Sequence, residues 1–517
     1  MSTTLGFKPG ITLPEWRPLA IVPFGFSWNA NPMAGDLRNN EDRHPTQFLV
    51  MSSNIFEYNI KNDGWRQGIA HAMGGSVSTA SACVFAPSQG PNGTLAAGAT
   101  TTTVVLNTAL PAAVGVNQLA NRGDGIGFKI RIIGNSAGGS GLTEEKYIVA
   151  NSGGTTPTIE LDSALTFTPA VGDRYEILSG RLFILTTQAA NGWKYYDVAC
   201  NVMSAALSLV NLPTVNTDTA LISLDELHVP STRAPGEGYF GNLTATASGA
   251  ASLTGQAAGG DAGVLANEYR NFQIRIVNDA ATPTAAGQRR RITSHTAGAS
   301  PVYTVAAWAV QPSATATYVI ENDTDKIICW TGGQQSTYNY NITANTWDTT
   351  TWATRGVAIG FGCPAVHAFG ITLDTGKNAR YSHIFAWRGG GTNTLDLLDI
   401  AGAATGLWST AIVYNNPTLL NIGFAGCYAP ATQDGRYFYL NLGYSTYAQY
   451  LYRFDVRNRV MESWVFLPYS SGVTGSTTTG TRLASTVFVD GATKVSLINM
   501  ISNQAATFGF WQCLITN

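Results

Sequence analysis

The chain has 517 residues, of which only 12% are charged, and a net charge of −2; the charged share is about half the ~25% of an ordinary globular protein. Apolar residues make up 44% and aromatic residues 10%, which excludes a disordered polymer, and the small net charge excludes a chain that holds nucleic acid by its global field. Gly, Thr, Ala and Asn abound while the main helix formers are scarce, so the expectation is an all-β protein with many turns.

The N-terminal stretch MSTTLGFKPGITLPEWRPLAIVPFGF lacks the basic start and continuous apolar core of a secretion signal. No apolar run reaches the roughly 20 residues of a membrane-spanning helix. Residues 1–48 are rich in Pro and aromatics and read as a separate segment that packs across the rest of the chain or on a neighbouring subunit. The six cysteines (Cys83, Cys200, Cys329, Cys363, Cys427 and Cys513) include no Cys-x-x-Cys pair, so neither a disulfide framework nor a zinc site is expected, and synthesis in a reducing cytosol is the plain reading. Sequons at Asn92, Asn242, Asn322 and Asn341 read as chance products of a Thr-rich chain.

At Tyr58 the chain reads YNIKNDGW, and at Tyr340 it reads YNITANTW. An aromatic or apolar residue, then Asn or Asp, then Ile, Val or Met recurs in copies that end at Ile60, Val198, Ile342, Ile400, Val456 and Met500. Trp65, Trp347, Trp408, Trp464 and Trp511 follow five of these copies, while Trp193 precedes the sixth. Each copy is expected to close a strand: YLYRFDV alternates with the period of two of a half-buried strand. An apolar partner strand lies upstream in RLFILT, DKIICW, SHIFAW and RYFYLNL. The Asn or Asp begins the turn, since its side chain can bond nearby backbone, and the Trp brings a large apolar face. The structural blade positions are therefore Tyr58, Trp65, Asp197, Tyr340, Trp347, Asp399, Trp408, Asp455, Trp464 and Trp511.

The last four copies lie 58, 56 and 44 residues apart, the period of β-propeller blades. Two earlier intervals are 138 and 144 residues long, so each conceals an insertion of roughly 80–90 residues if a blade takes about 55. The insertions resemble one another. FKIRII at Phe128 matches FQIRIV at Phe272 with an offset of 144, and Tyr175 matches Tyr318 with an offset of 143. The expected organisation is an N-terminal segment (1–48), a first blade (49–91), a β module (92–179), a blade (180–238), a second module (239–323) and the remaining blades (324–517). The blade count is five or six, according to whether the N-terminal segment contributes a closing strand.

Chemistry is sparse. His44, His71, His228, His295, His367 and His383 form no ligand pair. ENDTDK, Glu321 to Lys326, lacks the spacing of a Ca²⁺ loop and reads as a polar turn. Arg122-Gly123-Asp124 and Gly389 to Gly391 read as turns, and GQRRRIT, with Arg289 to Arg291, as the solvated face of a strand. The tyrosines of LGYSTYAQYLYRF form a blade hairpin whose tip could stack on a sugar. No catalytic, metal or cofactor residues are assigned, and the chain is expected not to be an enzyme.

The strand–(Y/F)-(N/D)-(I/V)–turn–Trp units resemble kelch-type blades, although they lack the Gly-Gly pair ahead of the motif. The modules, with I-R-I, a Gly/Ala turn, a Pro-containing bend and a final Y-x-I, look like small β modules of tailed-phage virion proteins. A propeller so interrupted is similar to the tail nozzle proteins of short-tailed bacteriophages. That resemblance implies a homo-hexameric ring in the virion tail, made in the host cytoplasm. Its partners would be a tail adaptor and tail fibres, with transient, non-specific passage of DNA and possible contact with the host surface. A receptor-binding, glycan-stacking propeller of a tail fibre or spike is the alternative. A propeller enzyme would need a Tyr/His copper set or an Arg triad with acidic partners, and no such set is legible.

Overall fold

The computed structural model describes residues 16–18, 33–35, 46–51, 53–60, 62–73, 77, 81–121, 127–187, 190–215, 219–224, 242–256, 264–348, 352–358, 365–371, 381–388, 392–413, 425–428, 436–441, 450–456, 458–466, 482–490, 493–504 and 507–515. Six four-stranded antiparallel sheets occur among them. Blade 1 holds Met33–Gly35, Thr46–Val50, Asn54–Asn59 and Gly64–Ala70. Blade 2 holds Ala82–Ala86, Arg181–Leu185, Trp193–Asp197 and Val202–Met203, and blade 3 holds Ala220–Ser223, Lys326–Trp330, Tyr338–Asn341 and Thr346–Asp348. Blade 4 comprises Ala365–Ile371, Tyr381–Trp387, Thr394–Asp399 and Leu407–Val413. Blade 5 comprises Ala425–Tyr428, Tyr437–Asn441, Tyr450–Asp455 and Val460–Phe466. Blade 6 is built from Arg482–Asp490, Thr493–Gln504 and Thr507–Ile515, with Trp16–Pro18 as its fourth strand.

The first-named strand of every blade touches that of the next, and Arg482–Asp490 of blade 6 returns to Met33–Gly35 of blade 1. This closed circuit of edge strands makes the fold a six-bladed β-propeller with the first-named strands innermost.

Residues 1–48 are therefore not a separate segment. Trp16–Pro18 pairs with the outermost strand that the C-terminus supplies, Trp16 opposite Cys513, while Met33–Gly35 and Thr46–Val50 belong to blade 1. Joining the first strand to the last blade ties the two ends of the chain into one sheet and covers the edge of Thr507–Ile515. Pro18, which cannot donate to a ladder, sits on the outer edge strand where that omission costs least.

The boundaries at 49–91 and 180–238 also shift. Ala82–Ala86 and Ala220–Ser223 are innermost strands of blades 2 and 3, and each pairs with a second strand lying beyond an insertion. Each module is thus spliced into the first hairpin of a blade rather than between two blades. Module 1 is a six-stranded sheet and module 2 a seven-stranded one. In spatial order, module 1 runs Asn92–Thr94, Arg174–Ile177, Lys129–Ile133, Thr143–Asn151, Thr158–Leu161 and Thr103–Val105. Module 2 repeats that order with Leu243–Thr244, Thr317–Glu321, Gln273–Asn278, Arg289–His295, Val302–Val305 and Ser252–Thr254, then adds Ala247–Gly249 at the edge. An isolated bridge, Val114 to Gly154 in module 1 and Val264 to Gly298 in module 2, sits at the same place in both.

Packing explains why the second strands of blades 2 and 3, RLFIL and KIICW, are apolar after their first residue. Both faces of a blade are covered by neighbours, so alternate residues enter alternate gaps. In blade 2, Leu182 and Ile184 join the core shared with blade 1 and module 1, whereas Phe183 and Leu185 join the core shared with blade 3. In blade 3, Ile327 and Cys329 face blade 2, and Ile328 and Trp330 face blade 4. The gap between blades 2 and 3 is filled by rings: Trp193 lies 5.1 Å from Tyr340 and 5.2 Å from Trp347. Each such buried ring removes roughly 150–250 Å² from water, worth several kcal/mol at about 25 cal/mol per Å². Between blades 3 and 4 the buried Arg355 is held by Asp396 at 2.6 Å, which also pairs with Arg388 at 2.8 Å.

Candidate functional site at the junction of modules and propeller

The motif residues do not converge on one site; they are distributed around the ring, one set per hairpin between third and fourth strands. The sixth copy fails. Ile498, Asn499 and Met500 lie inside Thr493–Gln504, the second strand of blade 6, and Met500 pairs with Trp511 within continuous sheet. In the other five copies the Asn or Asp side chain accepts a backbone N–H: Asn59 from Asn62 at 3.1 Å, Asp197 from Cys200 at 3.1 Å, Asn341 from Ala344 at 2.7 Å, Asp399 from Ala401 at 2.9 Å and Asp455 from Asn458 at 3.1 Å. The side chain thereby starts the turn that the ladder cannot supply.

Trp65, Trp347 and Trp408 return opposite Tyr58, Tyr340 and Leu398. Trp464 and Trp511 fall on Val460–Phe466 and Thr507–Ile515, but their side chains lie outside the described residues. So do Arg122-Gly123-Asp124, Gly389 to Gly391, Cys363, His44, His228 and the 442–449 tip of the tyrosine hairpin.

Sequence reasoning missed a second device in these turns. Tyr58, Tyr196 and Tyr340 each donate their hydroxyl, at 2.7 Å, to the side chain of a residue five positions on: Asp63, Asn201 and Asn345. Those acceptors have φ of 46°, 52° and 52°, the left-handed region where Asn and Asp are tolerated best. In blade 5 the aromatic is Phe454, which has no hydroxyl, and the left-handed position is Arg459. In blade 4 it is Leu398, and Gly406 takes φ 71°. The pairing of Tyr with Asn or Asp was present in the octapeptides as a spacing of five.

The modules meet through charge. Arg289 of module 2 clamps Glu176 of module 1 with two hydrogen bonds of 2.8 Å. Glu176 also takes Arg131 at 2.6 Å, and Arg131 holds Glu145 at 2.7 Å. On the other side Arg275 pairs with Glu321 at 3.2 Å. Burial alone would raise the Glu176 carboxyl, but Arg289 and Arg131 outweigh it and hold it well below the usual carboxylate range. Thr143 N–H donates to Asn278 Oδ1 at 2.7 Å, and Asn135 donates to the Ala286 carbonyl at 3.1 Å, extending the joint. The run Arg289 to Arg291 is thus not a solvated strand face. Arg289 joins the two modules, Arg290 lies over Trp308, and Arg291 donates to Asn271 Oδ1 at 2.7 Å.

Where modules, blade 2 and blade 3 converge there is a cleft of about 730 Å³. Among its described lining residues six are Lys or Arg and three are Asp or Glu. The ENDTDK segment forms part of this wall: Asp323 accepts the Asp325 N–H at 3.2 Å, and Asp325 accepts Thr343 N–H at 2.8 Å. Burial raises the Asp323 carboxyl above its ordinary value despite Lys326 and Arg291. Ser88, Gln89, Asn92, Gln273, Thr324, Asn341 and Thr343 supply amides and hydroxyls, and no aromatic ring stands among the described lining residues.

No family model matches the chain, and no curated protein sequence does. Among solved structures, a chain of the "Crystal Structure of Mitotic Checkpoint Complex" is similar over 100% of this chain and 96% of its own, at 7% identity and a TM-score of 0.33. A chain of the "Crystal structure of the tricorn protease" is similar over 96% of this chain and 48% of its own, at 10% identity and a TM-score of 0.17. Likenesses this low carry no argument.

Proposed function

We propose that the chain is a structural protein of a phage virion, a tail nozzle subunit that assembles with copies of itself into a conduit for the genome. The observation that carries this reading is the rigid coupling of two like modules to one disc. Both leave the first hairpin of adjacent blades, and Glu176 and Arg289 tie them to each other. Such a unit sets two joined modules beside one propeller, an arrangement suited to tiling around an axis. The low charge of the chain supports the same reading, since each lysine or arginine facing passing DNA would add phosphate affinity and hold it back.

Electron cryomicroscopy and mass photometry of the purified protein test the proposal. The expected result is a closed ring of identical subunits, six by the resemblance, with modules at the contacts between neighbours. A monomer at all concentrations, or an open-ended polymer, overturns it.

A further inference from the structure

We propose that the cleft between the two modules and blades 2 and 3 binds an acidic saccharide, a short chain bearing carboxylates among its hydroxyls. Its volume of about 730 Å³ lies within the roughly 300–1,000 Å³ of small-molecule sites and is far larger than a lone inorganic anion needs. Asp197, outside the lining, pairs with Arg181 at 3.1 Å and Glu176 holds Arg289, which leaves Arg174, Arg290, Arg291 and Lys326 against Asp323 and Asp325 among the described residues of the wall. Arg290 and Arg291 bond carbonyl and amide oxygens, not carboxylates, and Lys326 forms no ion pair among the described residues. Arg174 reaches only to 4.0 Å from Glu176 and is 38% exposed. Burial lowers the proton affinity of Arg291, with Asp323 opposing the shift, so a further anion here would relieve an incompletely compensated charge.

The rest of the lining narrows the class. A phosphate site would avoid carboxylates, yet Glu176, Asp323 and Asp325 stand among the cations. A ligand carrying both carboxylates and hydroxyl donors suits a wall of both signs; Gln273 already donates to Glu321, Asn341 Oδ1 accepts the Ala344 N–H and Thr343 donates to Asp325, so recognition falls to the cations. A nucleotide or single-stranded nucleic acid would need a ring to stack on, and none stands among the described residues of the lining. Guanidinium forks give paired hydrogen bonds to a carboxylate, which sets orientation as well as affinity. This inference holds whether or not the chain assembles into a ring.

Calorimetric titration of the full chain with trigalacturonate, maltotriose and inorganic phosphate tests it. Trigalacturonate should bind at one site per chain, and maltotriose and phosphate should not. The double variant Arg174→Gln/Lys326→Gln should weaken trigalacturonate about tenfold or more, because it removes charge-assisted bonds. Arg453→Gln, on blade 5, should leave binding unchanged. Raising salt on the unaltered protein should weaken binding steeply, a readout that needs no variant. Absence of binding, equal binding of maltotriose, or a double variant that binds like the parent overturns the proposal. Phosphate that binds as tightly and displaces the trisaccharide overturns the saccharide assignment in favour of a phosphate site.

Discussion

Module 1 and module 2 share strand order and point of insertion, yet they solve one local problem with different chemistry. In module 1, Asn117 (φ 59°) accepts the Asn151 N–H at 3.1 Å, and Asn151 Oδ1 accepts the Leu119 N–H at 2.8 Å. In module 2, Asn267 (φ 62°) accepts the His295 N–H at 2.9 Å, and His295 Nε2 accepts the Tyr269 N–H at 2.8 Å. His295 Nδ1 faces the Thr296 carbonyl at 2.9 Å, which places the proton there and leaves Nε2 as acceptor. What the fold requires is an acceptor at that point, not a residue type. An amide serves at any pH, whereas an imidazole serves only while neutral.

The joint between the modules offers the largest expected effect. Glu176→Gln leaves Arg289 facing a neutral amide and Arg131 with Glu145 alone, so global stability should fall by about 3–5 kcal/mol in chemical denaturation. Glu145→Gln leaves Arg131 still paired with Glu176 and should cost less than half as much. Equal losses would show that the joint is not centred on Glu176. The Glu176 contribution is present above the ordinary carboxylate range and is lost as pH falls through its depressed folded value.

The comparison of Asn151 with His295 predicts a pH effect confined to module 2. Burial lowers the folded pKa of His295 below its ordinary 6.5. The unfolded chain therefore takes up a proton first, and the stability conferred by neutral His295 is intact above about 6.5 and lost as pH falls towards the folded value. His295→Asn should remove that part of the acid sensitivity, by about 1–2 kcal/mol at the acid end, while His71 continues to contribute its own. Hydrogen exchange of module 2 strands at two pH values checks it. An acid response unchanged by His295→Asn contradicts the account.

The smallest effect belongs to the blades. Tyr196→Phe removes one hydroxyl bond to Asn201 and should cost about 0.5–1.5 kcal/mol, with Tyr58→Phe and Tyr340→Phe similar. Phe454→Tyr should gain nothing, because Arg459 stands where an acceptor would be needed. Thermal melts of the four variants suffice, and a stabilised Phe454→Tyr would contradict the pairing.

Much of this architecture was legible because burial on both faces writes long apolar runs into second strands, and because the turns demand Asn or Asp. The 144-residue offset exposed the modules before any coordinates did. Other features left no local trace. Trp16–Pro18 is too short to show a period, so a closing strand from the N-terminal segment stayed an open alternative in the sequence and its place in blade 6 came from the pairing with Thr507–Ile515. Which hairpin a module interrupts depends on Ala82–Ala86 finding a partner nearly a hundred residues on, and periodicity carries no such information. Met500 fitted the motif by composition alone. The Arg289 run looked solvated because its partner Glu176 lies 113 residues earlier. The cleft joins segments from four units, and those that had drawn notice in the sequence did so for other reasons: Glu321 to Lys326 as a polar turn, Arg289 to Arg291 as a solvated face and Asn341 as a blade turn.

Closure of the ring by the N-terminal strand underlies the whole arrangement, and one engineered bond tests it directly. Trp16 stands opposite Cys513 in the antiparallel pair, and opposed residues have Cα atoms about 4.5–5.5 Å apart, within the roughly 4.4–6.8 Å span of a disulfide. Trp16→Cys should form an intramolecular disulfide with Cys513 under mild oxidation, identifiable by peptide mapping, and the oxidised protein should melt at a higher temperature than the reduced one. A free Cys513 after oxidation, or a bridge from residue 16 to a different cysteine, would contradict the closed six-bladed ring.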